Sequence, residues 1–96
     1  MSFVQSYLMT ARDGSEAALE QALHDLGAAL SQIAGSLGAM VLRSRADARS
    51  FSFLEFWVDD QARDAAGPHL PNEVMGRIKD ALGAPPQVVG YDRLGG

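Results

Sequence analysis

The stretch "SFSFLEFWVDD", residues 50–60, decides the fold. Extended, it sends Phe51, Phe53, Glu55 and Trp57 to one side and Ser52, Leu54, Phe56 and Val58 to the other. Both sides carry large apolar groups, and one also carries a carboxylate. A strand that is apolar on both faces belongs inside, covered above and below. The chain has 96 residues, one domain's worth (1–96), and enough helix for one face only.

Working outward, "LGAMVLRSR" (37–45) reads as the preceding strand, with "ADARS" as a short turn between the two. "SFVQSYLMT" (2–10) alternates Phe3, Gln5, Tyr7 and Met9 against Val4, Ser6 and Leu8, a first strand. Leu19, Leu23, Leu26, Leu30 and Ile33 recur at steps of four and three, which predicts an amphipathic helix ending near Gly35. Asp13 and Glu16 have capping-box spacing at its start. After the quoted strand, "DDQARDAA" (59–66) suits a short helix with an acidic first turn. "GPHLP" interrupts it. Leu70, Val74, Ile78 and Leu82 form a second helical stripe behind Pro71, where Glu73 and Arg77 are spaced for an exposed ion pair, and "PPQVVGYDRL" (85–94) gives a last strand.

The order is therefore β-α-β-β-α-α-β, an α+β ferredoxin-like arrangement: a four-stranded antiparallel sheet of order 4-1-3-2 with all helices on one face. The second face has no helices left to cover it. The economical cover is an identical sheet across a two-fold axis, two sheets packing into a dimeric α/β barrel, so a homodimer through the sheet face is expected. The pattern does not settle which face holds Glu55 and Trp57.

Composition excludes several classes. A hydrophobic fraction of 47% and a charged fraction of 21% describe an ordinary globule. With 8 basic against 12 acidic residues the net charge is -4, which argues against a nucleic-acid surface. There is no cysteine, hence no disulfide, thiolate nucleophile or thiolate metal site. His24 and His69 lack metal-ligand spacing, so no metal is expected. Nucleotide and phosphate-loop fingerprints are absent, and no cofactor is expected. "MSFVQSYLMT" lacks a signal-peptide pattern and no 18-residue apolar run occurs, so the expectation is a cytoplasmic chain without a membrane partner.

Glu55 among aromatics is a desolvated carboxylate, a candidate general base; the other reading is a structural glutamate held by an arginine such as Arg43. His69, after a proline at a helix start, is a second candidate for proton transfer, against a half-exposed surface histidine. Trp57, Phe51 and Phe53 read as core and interface residues, the Trp57 indole N–H being also available to a ligand, and Tyr7 and Tyr91 offer phenolic hydroxyls at a pocket wall or a wet sheet edge.

Residues 35–70 carry a resemblance. Gly35 to Gly38 leading into a strand, Glu55-Phe56-Trp57 at the end of the next, the acidic Asp59–Ala66 helix and the Pro68-His69-Leu70 step together resemble the antibiotic biosynthesis monooxygenase family of small dimeric α/β-barrel proteins. The resemblance implies a cofactor-independent monooxygenase acting with O₂ on a small electron-rich aromatic, a phenol, hydroquinone or anthrone. His69 and Glu55 would be its catalytic groups, and Trp57, Tyr7, Phe53, Arg43 and Tyr91 would line its substrate site. The alternatives are a non-catalytic dimer binding a small apolar molecule and a small-metabolite isomerase using Arg43 and Arg45. Two departures stand out. Ala66 occupies the place where many members carry a further histidine. Tyr7, Ala66 and Val74 occupy the places where the haem-degrading branch carries asparagine, tryptophan and histidine, so haem is not expected.

Overall fold

The structure, a computed structural model, describes residues 2–96. Four strands, β1 (Phe3–Thr10), β2 (Ser36–Arg43), β3 (Ser50–Trp57) and β4 (Gln87–Asp92), form one sheet in the order β2-β3-β1-β4. Every neighbouring pair is antiparallel. Read from the opposite edge, this is the expected 4-1-3-2 order, and the chain has the α+β ferredoxin-like topology.

Helix α1 (Glu16–Leu30) buries Leu19, Ala22, Leu23, Leu26 and Leu30 against the sheet. Its start departs from the expected capping box. Ser15 is the N-cap residue and makes no side-chain cap, while Glu16 Oε1 accepts the Gly14 N–H at 3.2 Å. The helix also ends earlier than Gly35. The Ser31 hydroxyl donates to the Ala28 carbonyl at 2.6 Å and its N–H to Gly27 at 3.2 Å, closing the last turn. Gly35 serves the following turn instead. Its φ of +84° is left-handed, and a Cβ there would lie 2.5 Å from that of Ala62. Only glycine meets both demands.

Helix α2 (Asp60–Ala65) is opened by Asp59, whose carboxylate accepts the Ala62 N–H at 2.8 Å. A 3₁₀ turn, Gly67–His69, follows, and then helix α3 (Asn72–Ala81), which buries Ile78 and Ala81. Arg77 of α3 pairs with Glu73 at 2.6 Å as the spacing predicts, and also with Asp25 of α1 at 2.8 Å, tying the two helices together.

The face left undecided by the sequence is settled by β3. Phe51, Phe53, Glu55 and Trp57 are all buried under the helices, alternating with half-buried Ser52, Leu54 and Phe56 on the opposite side. In register with them, the covered face takes Phe3, Gln5, Tyr7 and Met9 from β1 and Ala39 and Val41 from β2. The opposite, outer face takes Val4, Ser6 and Leu8 from β1, Met40 and Leu42 from β2, Leu54 and Phe56 from β3, and Val89 and Tyr91 from β4. Leu8, Met40, Leu42, Val89 and Tyr91 are 43–53% exposed. No helix among the described residues is long and apolar enough to cross a membrane.

Candidate active site

Between the covered face and the helices lies a small, largely enclosed pocket of about 50 Å³. Leu26 of α1, Ile78 and Met75 of α3 and Leu70 of the connecting segment form its apolar wall. The sheet supplies Tyr7, Met9, Phe53 and Glu55, and α2 supplies Arg63. The alternation of β1 and β3 brings Tyr7 opposite Phe53 and Gln5 opposite Glu55, so the polar groups enter from adjacent strands. The Tyr7 and Phe53 rings meet tilted, their centroids 6.3 Å apart.

Glu55 is the one buried charged residue among the described residues, 3% exposed. An isolated carboxylate there would cost several kcal/mol, so its partners decide its state. Trp57 Nε1–H donates to Glu55 Oε1 at 3.1 Å, and Arg63 Nε lies 3.0 Å from the same oxygen. The Arg63 Nε–H is not aimed along that line and finds no hydrogen-bond acceptor, so this contact is an ion pair without a directed hydrogen bond. Arg63 Nη2 donates instead to the Tyr7 hydroxyl at 2.6 Å. Burial pushes the Glu55 pKa above the ordinary carboxylate value, and the Trp57 hydrogen bond and the Arg63 charge pull it only part of the way back. The result is a carboxylate more basic than usual, held rigidly at the wall of an apolar space.

The structure thus brings four of the sequence candidates together: Glu55, Trp57, Tyr7 and Phe53. Three stand elsewhere. His69 is exposed and faces a different hollow, wide and open at about 490 Å³, lined by Ala29, Gln32, Ile33, Ala34, Ala65 and Ala66. The 3₁₀ turn that carries it is closed by the His69 N–H on the Ala66 carbonyl at 2.9 Å. That hollow is the larger of the two, but His69 is its one titratable lining residue, whereas the smaller pocket brings Glu55, Tyr7 and Arg63 together. Arg43 ends β2 in solvent, 3.6 Å from Glu20, so the arginine beside Glu55 is Arg63. Tyr91 lies on the outer face, over half exposed. Among the described residues, no three His, Cys, Asp or Glu side chains gather where they could hold a metal ion.

Arg63 was missed by sequence reasoning. Its one signal is being the lone cation inside the acidic run "DDQARDAA", four positions after Asp59, on the turn of α2 that returns over β3.

The family model for antibiotic biosynthesis monooxygenase matches residues 2–67, more than two thirds of the chain. The chain belongs to this family. Solved structures agree on the fold of this monooxygenase-family protein. A Nitrosomonas europaea protein superposes with a TM-score of 0.88 at 17% identity, covering 97% of this chain and 90% of its own. SnoaB, a cofactor-independent oxygenase from Streptomyces nogalater, superposes at 0.84 with 15% identity, covering 99% of this chain and 95% of its own. A Pseudomonas aeruginosa protein reaches 27% identity at a TM-score of 0.81, covering 98% and 95%. No curated protein was found to match.

Proposed function

We propose that the Glu55 pocket is the active site of a cofactor-independent monooxygenase acting on a small electron-rich aromatic, with Glu55 as the base. The observation that carries this reading is the buried, basicity-raised carboxylate beside Tyr7 and Arg63 in an otherwise apolar space. Family membership and the likeness to SnoaB support it. A phenol, hydroquinone or anthrone needs little from a protein in order to react with O₂. Glu55 takes a proton, and the resulting anion passes one electron to O₂, giving a substrate radical and superoxide. These combine into a peroxide at carbon. Loss of water from the peroxide, with the proton returned by Glu55, leaves the quinone or ketone. The dry wall of Leu26, Leu70, Met75 and Ile78 shelters the radical pair from solvent.

A cavity of about 50 Å³ is smaller than the roughly 150 Å³ apolar cavity that accommodates benzene. Substrate admission therefore requires the rim residues Met75, Leu70 and Arg63 to shift. This tight volume is also what favours the second reading, a non-catalytic site for a small apolar molecule. Oxygen uptake with a panel of dihydroxyaromatics and no added cofactor separates the two. Uptake that falls at least about 100-fold in Glu55→Gln is the expected result. Absence of uptake, or uptake unchanged by that substitution, refutes Glu55 as base. With His69 facing another hollow, His69→Ala is expected to leave uptake within a few-fold.

The functional unit in this proposal is a homodimer through the outer sheet face. Leu8, Met40, Leu42, Val89 and Tyr91 are close to half exposed there, beside the half-buried Val4, Leu54 and Phe56, with the Arg93 guanidinium over the Phe56 ring at 5.5 Å. Together these apolar residues make a patch on the order of 400 Å², the size of the largest patch on a typical monomer, which is often an interaction surface. Its rows of side chains, one from each strand, suit a second copy of the same sheet.

A further inference from the structure

We propose that Arg63 makes the pocket selective for aromatics bearing an acidic hydroxyl, serving as counter-ion to the oxyanion that forms when Glu55 accepts the hydroxyl proton. The inference rests on the oxygenase reading of this pocket and adds the residue that chooses its substrate.

The argument begins with charge. In the resting pocket the Arg63 cation is balanced by the Glu55 anion at 3.0 Å. When a bound hydroxyaromatic loses its proton, the O–H bond breaks, the electron pair stays on the substrate oxygen, and the proton goes to the Glu55 carboxylate. Glu55 becomes neutral and Arg63 loses its counter-ion at the moment an oxyanion appears. Arg63 then changes partner without any change in the pocket's net charge. In a low-dielectric space this matters, because creating a second unpaired ion is what would otherwise oppose the step.

Donor geometry supports the exchange. A guanidinium has five N–H donors and no acceptor. Nη2 is committed to the Tyr7 hydroxyl at 2.6 Å, while the Nε–H is buried and unpartnered. On the carboxylate, Oε1 takes both the Trp57 N–H and the Arg63 contact, leaving Oε2 without a donor among the described residues as the proton acceptor. A ligand oxygen that reaches Arg63 finds the Tyr7 hydroxyl beside Nη2 and an Nε–H that has no acceptor. An aromatic without a hydroxyl leaves that N–H orphaned and its desolvation uncompensated. A lysine in place of Arg63 would keep the charge but lose the planar fork.

The test uses 4-nitrophenol and nitrobenzene as a matched pair, without oxygen turnover as a readout. Binding is followed by quenching of Trp57, the sole tryptophan, and the bound phenolate by its visible absorption. The native protein is expected to prefer the phenol at least about 10-fold and to bind it ionised. Arg63→Met should weaken 4-nitrophenol about 10-fold or more, leave nitrobenzene within two-fold, and abolish the phenolate absorption; Arg63→Lys should restore part of the loss. If Arg63→Met folds poorly, the Glu55→Gln/Arg63→Met pair removes both charges together and should show the same loss of preference. Equal weakening of both probes, no preference in the native protein, or binding of neither overturns the proposal. Phenolate binding with no oxygen uptake on any dihydroxyaromatic would instead refute the oxygenase reading and leave the Arg63 assignment standing.

Discussion

Leu54→Asp is the sharpest probe of the proposed dimer. Leu54 sits in the outer row of β3, with Ser6 of β1 on one side and Met40 of β2 on the other, the middle of the outer face. In a lone molecule the substitution exchanges a half-buried leucine for a carboxylate beside open solvent, costing about 1 kcal/mol. In a two-fold dimer it is introduced twice, placing two like charges in a dry interface. Even at about 2 kcal/mol each, a low figure for a desolvated carboxylate, the dimer loses about 4 kcal/mol, or roughly a thousand-fold in Kd. Sedimentation equilibrium from about 1 to 100 μM would read the shift. Val88→Asp is the control. Val88 is 49% exposed, comparable to the outer-face residues, but it lies opposite Tyr7 and hence on the helix side of the sheet. It should leave the association unchanged. A native protein that stays monomeric throughout, or a Leu54→Asp variant that associates as the native one does, refutes the reasoning.

Two further predictions concern the monomer. Glu55 has a folded pKa raised above its unfolded one, so its contribution to stability is fully present below the ordinary carboxylate range and is lost as pH rises through the folded value. Glu55→Gln has no such titration. Its melting temperature relative to the native protein should therefore climb as pH rises above the ordinary carboxylate value, and a flat or falling difference contradicts the raised pKa. Gly35→Ala must adopt a left-handed φ and press its Cβ against Ala62, while Gly38→Ala, at φ +108° with open space around it, pays for the backbone alone. Calorimetry should place Gly35→Ala at least about 10 °C below the native midpoint and clearly below Gly38→Ala; equal midpoints would mean the Ala62 contact relaxes freely.

The topology was legible because its signals are periodic. The leucine stripe of α1 and the alternation of β1 each fix an element and its buried side. On β3 periodicity fails, since Phe53 and Phe56 look alike to a pattern and only helix placement tells them apart. Helix ends were read less well, for a local reason: Ser31 closes α1 with its own hydroxyl, a turn before the glycine that looked like the stop. The site was half legible. A glutamate between Phe53 and Trp57 announces itself, whereas Arg63 looks like any residue of a solvated helix until the fold lays α2 beside β3. His69 was placed no better, because Pro68 signals a turn without saying which hollow the next residue will line, and it lines a different one from Glu55.

Helix α2 buries no residue of its own, and at six residues it is far too short to persist unaided. Its order is borrowed from the Asp59 cap at one end, from Ala62 packed close over Gly35, and from the hold of Arg63 on Tyr7 and Glu55. The roof of the pocket is therefore lightly held, and amide exchange there should slow once a ligand completes the arginine's contacts. Access would then come through brief local melting rather than through a hinged flap.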